Sequence, residues 1–167
     1  MISCAIGNAA DEGSGQAGLS QPGEHFAMML VSHQQQPSER WREGVETRML
    51  VSASNGASEL CIFDQWVSPG AGAPTHWHPA EEVLTVLAGQ AECWIDEERG
   101  VLAAGQSLVI PALSNHGFLN IGNVILHVHA VLASPIFEAT PLGGTETTRR
   151  WLRARPAGRD VDRGVSR

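Results

Sequence analysis

Lysine and tyrosine are both absent from this chain of 167 residues. Without lysine, the protein has no amine to form a Schiff base and no ammonium group to hold an anion. Without tyrosine, it has no phenol to act as a base. No apolar run approaches the roughly 20 residues of a membrane-spanning helix. These absences exclude several catalytic chemistries and predict that the protein does not bind a membrane.

Cysteine is scarce and scattered, at Cys4, Cys61 and Cys93. An odd number of cysteines without a C-x-x-C pair does not make a disulfide framework. Cys61 and Cys93 lie in apolar segments, where a cysteine packs as a small apolar residue. The amino terminus has neither the basic lead nor the long apolar stretch of a secretory signal. We therefore predict a cytoplasmic protein.

The charges are unevenly distributed. All 11 basic residues are arginine, and seven of them lie in residues 149–167, whereas residues 1–148 carry 16 of the 18 acidic residues. The acidic body argues against nucleic acid binding by the main domain. We interpret the basic tail as a solvated terminus, although it could dock on an acidic neighbour or touch nucleic acid.

The composition predicts three regions. Residues 1–23, rich in Gly, Ser, Gln and Ala, are expected to be a disordered lead. Residues 24–140 form the predicted β domain, and residues 141–167 the Arg-rich tail, in which 145–155 could form a helix. Within the domain, 26–31 is a candidate strand that could pair with a sheet edge or a partner.

Short apolar segments separated by Gly and Pro turns begin at Val45, after a predicted polar turn over 34–41. Asn55-Gly56 is a strong hairpin signal. Many short strands with closely spaced turns are typical of a sandwich or barrel rather than a βαβ fold. The predicted strands are 47–53, 60–67, 75–78, 82–87, 91–96, 107–110, 116–120 and 124–133.

Four potential metal ligands stand out: His76, His78, Glu82 and His116. On a strand, His76 and His78 would face the same side, and Glu82 could reach the same point from the next strand. Three imidazoles and a carboxylate suit a divalent transition metal and leave room for water or substrate. A single histidine in a strand is more often structural, but four such residues bracketed by turn glycines predict a metal site.

The same residues resemble the two motifs of the cupin family. The first, G-x5-H-x-H-x3-E-x6-G, and the second, G-x5-P-x-G-x2-H-x3-N, are matched at Gly70, His76, His78, Glu82 and Gly89, and at Gly105, Pro111, His116 and Asn120. Leu113 stands where the family has glycine, and this departure falls in a turn. The resemblance implies an all-β double-stranded β-helix, a jelly-roll barrel. It also implies one divalent transition metal per chain, with Fe or Mn expected for function and Zn or Ni possible as purified.

The resemblance leaves two function classes open. The protein could be a metalloenzyme acting on a small oxygenated or aromatic molecule, of dioxygenase, isomerase or cyclase type, with Glu82 as the catalytic residue. It could instead be a non-catalytic small-molecule-binding or regulatory module. The intact ligand set favours the enzyme. We also predict a homodimer, because an open jelly roll leaves sheet edges and segment 26–31 lacks a partner.

Strand parity predicts the neighbours of the metal site. The inward residues Leu84, Val86 and Phe118 suggest a mostly apolar cavity for a planar substrate that binds the metal through one or two oxygens. Asn120 is interpreted mainly as a turn residue, with a hydrogen-bonding role at the site as the alternative.

A second histidine pair, His127 and His129, lies on one face of the last long strand. Neither a companion carboxylate nor flanking glycines accompany this pair in the sequence. We therefore interpret it as a hydrogen-bonded structural pair rather than as ligands, although it could reach into the barrel.

Overall fold

The computed structural model describes residues 28–154 of the chain. These residues form twelve strands and two short 3-10 helices, at His33–Gln35 and Ala53–Asn55. The strands are β1 (Ser38–Arg42), β2 (Val45–Val51), β3 (Cys61–Val67), β4 (Gly72–Trp77), β5 (Glu82–Ala88), β6 (Gln90–Ile95), β7 (Glu98–Ala103), β8 (Ser107–Ile110), β9 (His116–Asn120), β10 (Leu126–Leu132), β11 (Phe137–Pro141) and β12 (Thr148–Arg150). No helix among the described residues is long and apolar enough to cross a membrane.

The strands form two six-stranded antiparallel sheets. Sheet A has the order β1-β2-β3-β10-β5-β8, and sheet B the order β12-β11-β4-β9-β6-β7. Between β3 and β11 the chain crosses repeatedly from one sheet to the other, so that paired strands such as β3 and β10 are distant in sequence, as in a jelly roll. The predicted all-β jelly-roll fold is confirmed.

The core lies between the two sheets. Along β3 and β10 every second residue is buried, as expected for strands with one face on a core. Phe63 and Val128 from sheet A meet Phe118 from sheet B in one apolar cluster. Burying each such side chain stabilises the fold by roughly 1.5–3 kcal/mol. Cys61 belongs to this cluster, in agreement with its interpretation as a packing residue.

Most predicted strands are present, and two have the predicted bounds, Ser107–Ile110 and His116–Asn120. The hairpin signal is also confirmed. β2 and β3 pair antiparallel across a loop in which Ser52 caps the short helix Ala53–Asn55, and Gly56 has a φ of 111°. Glycine adopts this left-handed conformation without steric cost.

Three predictions made from local pattern were wrong. The polar segment 34–41 contains most of β1, which pairs with β2 at the edge of sheet A. Residues 148–150 form β12 rather than part of a helix, because they pair with β11. Residues 28–31 form no strand, while 26–27 and the predicted lead 1–23 lie outside the described residues. The edge strands β1, β7 and β12 are largely exposed and show no regular apolar alternation, which explains why the pattern missed them.

Candidate metal centre

The four candidate ligands come from three neighbouring strands. His76 is in β4 and pairs with His116, the first residue of β9, in sheet B. His78 follows β4 directly, and Glu82 is the first residue of β5 in sheet A. The group therefore bridges the two sheets. His78, Glu82 and His116 are buried, and His76 is partly buried.

The side chains converge on one point. Nε2 of His76 lies 3.1 Å from Nε2 of His78. Oε2 of Glu82 lies 3.1 Å from Nε2 of His116 and 3.2 Å from Nε2 of His78. The ligand atoms of the three histidines lie within 4.8 Å of one another, so these residues could hold a metal ion. The structure thus brings together all four residues singled out from the sequence.

Backbone carbonyl groups orient the three imidazoles. Nδ1 of His76 lies 2.7 Å from the oxygen of Pro74, and Nδ1 of His116 lies 2.8 Å from that of Ser114. Nδ1 of His78 contacts the oxygen of Glu138. A carbonyl oxygen only accepts, so each Nδ1 carries a proton and each Nε2 faces the centre, where it could offer its lone pair to a metal ion.

The ionisation of the groups in this cluster favours a bound cation. Burial, with the charges of His116 and His78, lowers the pKa of His76 to about 4. Burial opposes the Glu82 anion, but hydrogen bonds from His116 and His78 outweigh it and lower the pKa of Glu82 to about 2. Burial also disfavours charged His78, but the hydrogen bond and charge of Glu82 raise its pKa. Three Nε2 atoms with one carboxylate fit a divalent ion at this point.

Leu113 forms a backbone hydrogen bond with the ligand residue His78, although the family motif has glycine at this position. Its φ is 68°, the left-handed region where glycine would be unstrained. Its backbone N–H donates to the carbonyl oxygen of His78 over 2.8 Å. The turn therefore keeps the geometry that glycine would favour, at a cost in backbone strain.

Two spaces with shared lining residues lie beside the ligands. An inner cavity of about 30 Å³, room for one or two water molecules, is lined by the four ligands and by apolar side chains such as Leu84 and Phe118. An outer space of about 190 Å³, which we call the vestibule, lies between β1, β4, β11 and β12. Trp41, Arg42 and Phe137 line both spaces, together with His76.

Sequence reasoning missed Trp41, Arg42 and Phe137 because β1 and β11 carried no strand signal. Gln65 was missed as well. It lines the inner cavity from β3, where its side chain donates to the hydroxyl of Thr47 over 3.0 Å. A buried glutamine in an otherwise apolar alternation, at 3 % exposure, was the available signal.

The second histidine pair lies apart from the metal centre, on the outer face of sheet A. The residues flanking His127 and His129 in β10 are buried, so the two rings point away from the core. The view that they lack a companion carboxylate was wrong. Asp64 Oδ1 lies 2.7 Å from Nδ1 of His129, and Oδ2 lies 3.3 Å from Nε2 of His127. Trp66 stacks on His127 at 4.8 Å between ring centroids.

Asn120 is a turn residue, in agreement with the preferred interpretation. Its side-chain oxygen accepts the N–H of Gly122 at 2.9 Å. Its side-chain nitrogen donates to the carbonyl oxygens of Val67 and Val124. This buried side chain therefore stabilises the loop between β9 and β10 and ties it to the end of β3.

Comparison with known proteins agrees with the fold and the ligand geometry. The family model described as "Cupin domain" matches residues 64–132, which include all four candidate ligands. Protein SchB of Streptomyces halstedii is 33% identical over 96 residues, 57% of this chain and 70% of SchB. The chain belongs to the cupin family.

Two further likenesses concern this cupin. Polyketide synthase CurC of Streptomyces cyaneus is 32% identical over 106 residues, which cover 60% of this chain and 63% of CurC, less than two thirds of that protein. The solved structure of the polyketide cyclase RemF from Streptomyces resistomycificus superposes with a TM-score of 0.56 at 22% identity, covering 64% of this chain and 79% of RemF. The second likeness concerns the fold alone.

Proposed function

We propose that this cupin is a metal-dependent enzyme that acts on a planar, oxygenated aromatic molecule of polyketide type, with a cyclase reaction as the leading candidate. The observation that carries the proposal is the set of three Nε2 lone pairs and one carboxylate at the bottom of an aromatic-lined cavity. The likeness to CurC supports the substrate class. The small free volume beside the ligands suits the edge of a flat ring better than a bulky sugar.

In this proposal His76, His78, His116 and Glu82 hold one divalent ion, which would polarise substrate oxygens and acidify substrate hydroxyl groups. The carbonyls behind each Nδ1 keep the imidazoles oriented. Phe118 and Leu84 make the wall beside the ligands apolar. Oε2 of Glu82 would accept a proton from the substrate when a substrate oxygen takes its position, and would return it to the product.

A reaction screen tests the proposal. The full chain, loaded separately with Fe, Mn, Zn or Ni, is incubated with phenols and aromatic β-ketones, with and without oxygen, and products are followed by mass. A cyclase or isomerase gives a product of unchanged mass, or one lighter by water, without oxygen uptake. Oxygen uptake together with a product that has gained oxygen atoms would show that the enzyme is a dioxygenase rather than a cyclase.

Glu82→Gln, which keeps the volume and removes the charge, separates binding from chemistry. We expect part of the metal to remain while turnover falls by roughly 10²–10⁴-fold, as for loss of a general base. The neighbouring Glu81 is exposed, so Glu81→Gln is the matched control and should behave as wild type. Unchanged turnover in Glu82→Gln would exclude the proton-transfer role.

The competing function is a small-molecule-binding or regulatory module. If compounds of the panel bind but no product forms with any of the metals, the protein is a binding module rather than an enzyme. Affinity that survives metal removal together with Glu82→Gln and His116→Ala would lead to the same conclusion.

A further inference from the structure

An irregularity in β1 brings two consecutive side chains to the same opening. Arg40 pairs with Glu46 and Arg42 with Val45, so the register shifts around Trp41. In a regular strand consecutive side chains point to opposite faces, whereas a bulge re-aims one of them. Trp41 and Arg42 accordingly both line the inner cavity and the vestibule. This edge strand therefore presents an aromatic ring and a guanidinium on the route to the histidines.

The guanidinium of Arg42 is a cation without a counter-ion among residues 28–154. Its Nε is buried and has no hydrogen-bond partner within that range. The nearby carboxylate of Glu39 is engaged by Arg150, whose terminal nitrogen lies 3.0 Å away, and by the indole N–H of Trp41 at 3.3 Å. Burial, and then the charge of Arg150, lower the pKa of Arg42. A partly buried charge without a counter-ion is costly, and an anion in the vestibule would offset part of that cost.

The walls around Arg42 define the shape of that anion. The ring centroid of Trp41 lies 4.6 Å from that of Phe137, and both rings line the vestibule. Since Arg150 is neutralised by Glu39, one free positive charge remains, which matches a monoanion better than a phosphate dianion. A planar guanidinium recognises a carboxylate through two parallel hydrogen bonds.

We propose that Arg42 is a substrate-binding residue that holds the carboxylate of a planar aromatic acid, whose ring packs against Trp41 and Phe137 on the way to the metal centre. Trp41 and Arg42 lie before residues 64–132 and Phe137 lies after them, so this subsite is built from segments outside the region that the cupin model matches. The view of the bound acid as a substrate rests on the proposed function, whereas the anion site itself does not.

Titration calorimetry with benzoate, salicylate and cinnamate, each beside its neutral amide, tests the subsite on metal-free and metal-loaded full-length protein. We expect the acids to bind metal-free wild type at least about tenfold more tightly than the amides, as for a charge-assisted hydrogen bond. Arg42→Gln should raise the Kd of the acids about tenfold or more. Arg42→Lys, which keeps the charge but cannot form two parallel hydrogen bonds, should raise the Kd of the acids less.

Arg48→Gln is the matched control. Arg48 also has a buried Nε without a partner among the described residues and lies over a tryptophan, 5.2 Å from the ring of Trp66, but it lines neither the inner cavity nor the vestibule. Its substitution should leave the Kd of the acids unchanged. Near-ultraviolet circular dichroism establishes that each variant is folded.

Two results would overturn the inference. One is an unchanged Kd for the acids in folded Arg42→Gln. The other, which needs no variant, is equal or undetectable binding of acids and amides by metal-free wild type at millimolar concentration. Failure of the proposed enzyme would appear differently, as acid binding that depends on Arg42 without any product.

Discussion

Leu113 donates its backbone N–H to the carbonyl oxygen of the ligand residue His78, over 2.8 Å, from a left-handed conformation with a φ of 68°. A side chain in this conformation costs about 1–2 kcal/mol. Glycine would remove this cost, but its greater freedom in the unfolded chain would cancel part of the gain in stability. Leu113 is mostly exposed, so little burial would be lost with its side chain. We expect Leu113→Gly to stabilise the protein by about 0.5–1 kcal/mol, measured by urea unfolding.

Val109→Gly is the control for that measurement. Val109 is similarly exposed but lies in regular strand β8, where glycine should destabilise the protein. A loss of stability in Leu113→Gly comparable with that in Val109→Gly would mean that the leucine side chain, and not the backbone, holds the turn.

Asp64 joins His127 and His129 across β3 and β10 without contributing to the metal centre. Asp64→Asn keeps the shape of the side chain but removes its charge, and we expect a loss of about 1 kcal/mol in the free energy of unfolding with unchanged metal content. The exposed ion pair between Arg99 and Glu92, 3.7 Å apart, gives a comparison, since Glu92→Gln should have a smaller effect. Metal content that falls in Asp64→Asn would tie this cluster to the site.

The buried thiols should control stability at alkaline pH. Burial, with the charge of Glu82, raises the pKa of Cys61 to about 12, and burial, with the charge of Glu92, raises that of Cys93 to about 11, against an ordinary value of 9.0. A raised folded-state pKa gives stability that is complete below pH 9 and is lost as the pH rises through the folded-state values. No lysine or tyrosine titrates in this range, because the chain contains neither. We expect the free energy of unfolding to fall above pH 9, and Cys61→Ala to reduce that slope; an unchanged slope would contradict the assignment.

Assembly into a homodimer remains a prediction. Met28 and Leu30 are 87% and 86% exposed, an apolar stretch that a partner could cover. Light scattering at tens of micromolar should give the dimer mass, and the double substitution Met28→Ser, Leu30→Ser should weaken the dimer. A monomer mass for wild type would contradict the prediction. Unchanged dimerisation after deletion of residues 1–32 would remove only the role of this segment.

The ligand set could be found from sequence because its spacing obeys local rules. Alternation along β4 fixes the relation of His76 to His78, and the short turn into β5 places Glu82 beside them. The features that were missed depend on pairing between distant segments. Asp64 meets His129 only because β3 and β10 align them, and the two residues are 65 positions apart.

The residues that line the vestibule could not be predicted from local sequence pattern either. Trp41 and Arg42 belong to a polar edge strand, and their common direction comes from a register shift against β2. Phe137 lies in β11, which pairs with the distant strand β4 as well as with the next strand, β12. These contacts depend on which strands pair with one another. The two cupin motifs predict that pairing only for residues near the metal centre.

Elemental analysis of untagged protein, loaded with a divalent metal and dialysed, tests whether His76, His78, His116 and Glu82 hold one metal ion per chain. We expect one ion per chain in wild type and little in folded His76→Ala, His78→Ala. The matched pair His127→Ala, His129→Ala, with the same spacing on another strand, should keep the metal. Full occupancy in the folded His76→Ala, His78→Ala variant, or none in wild type, would contradict the account.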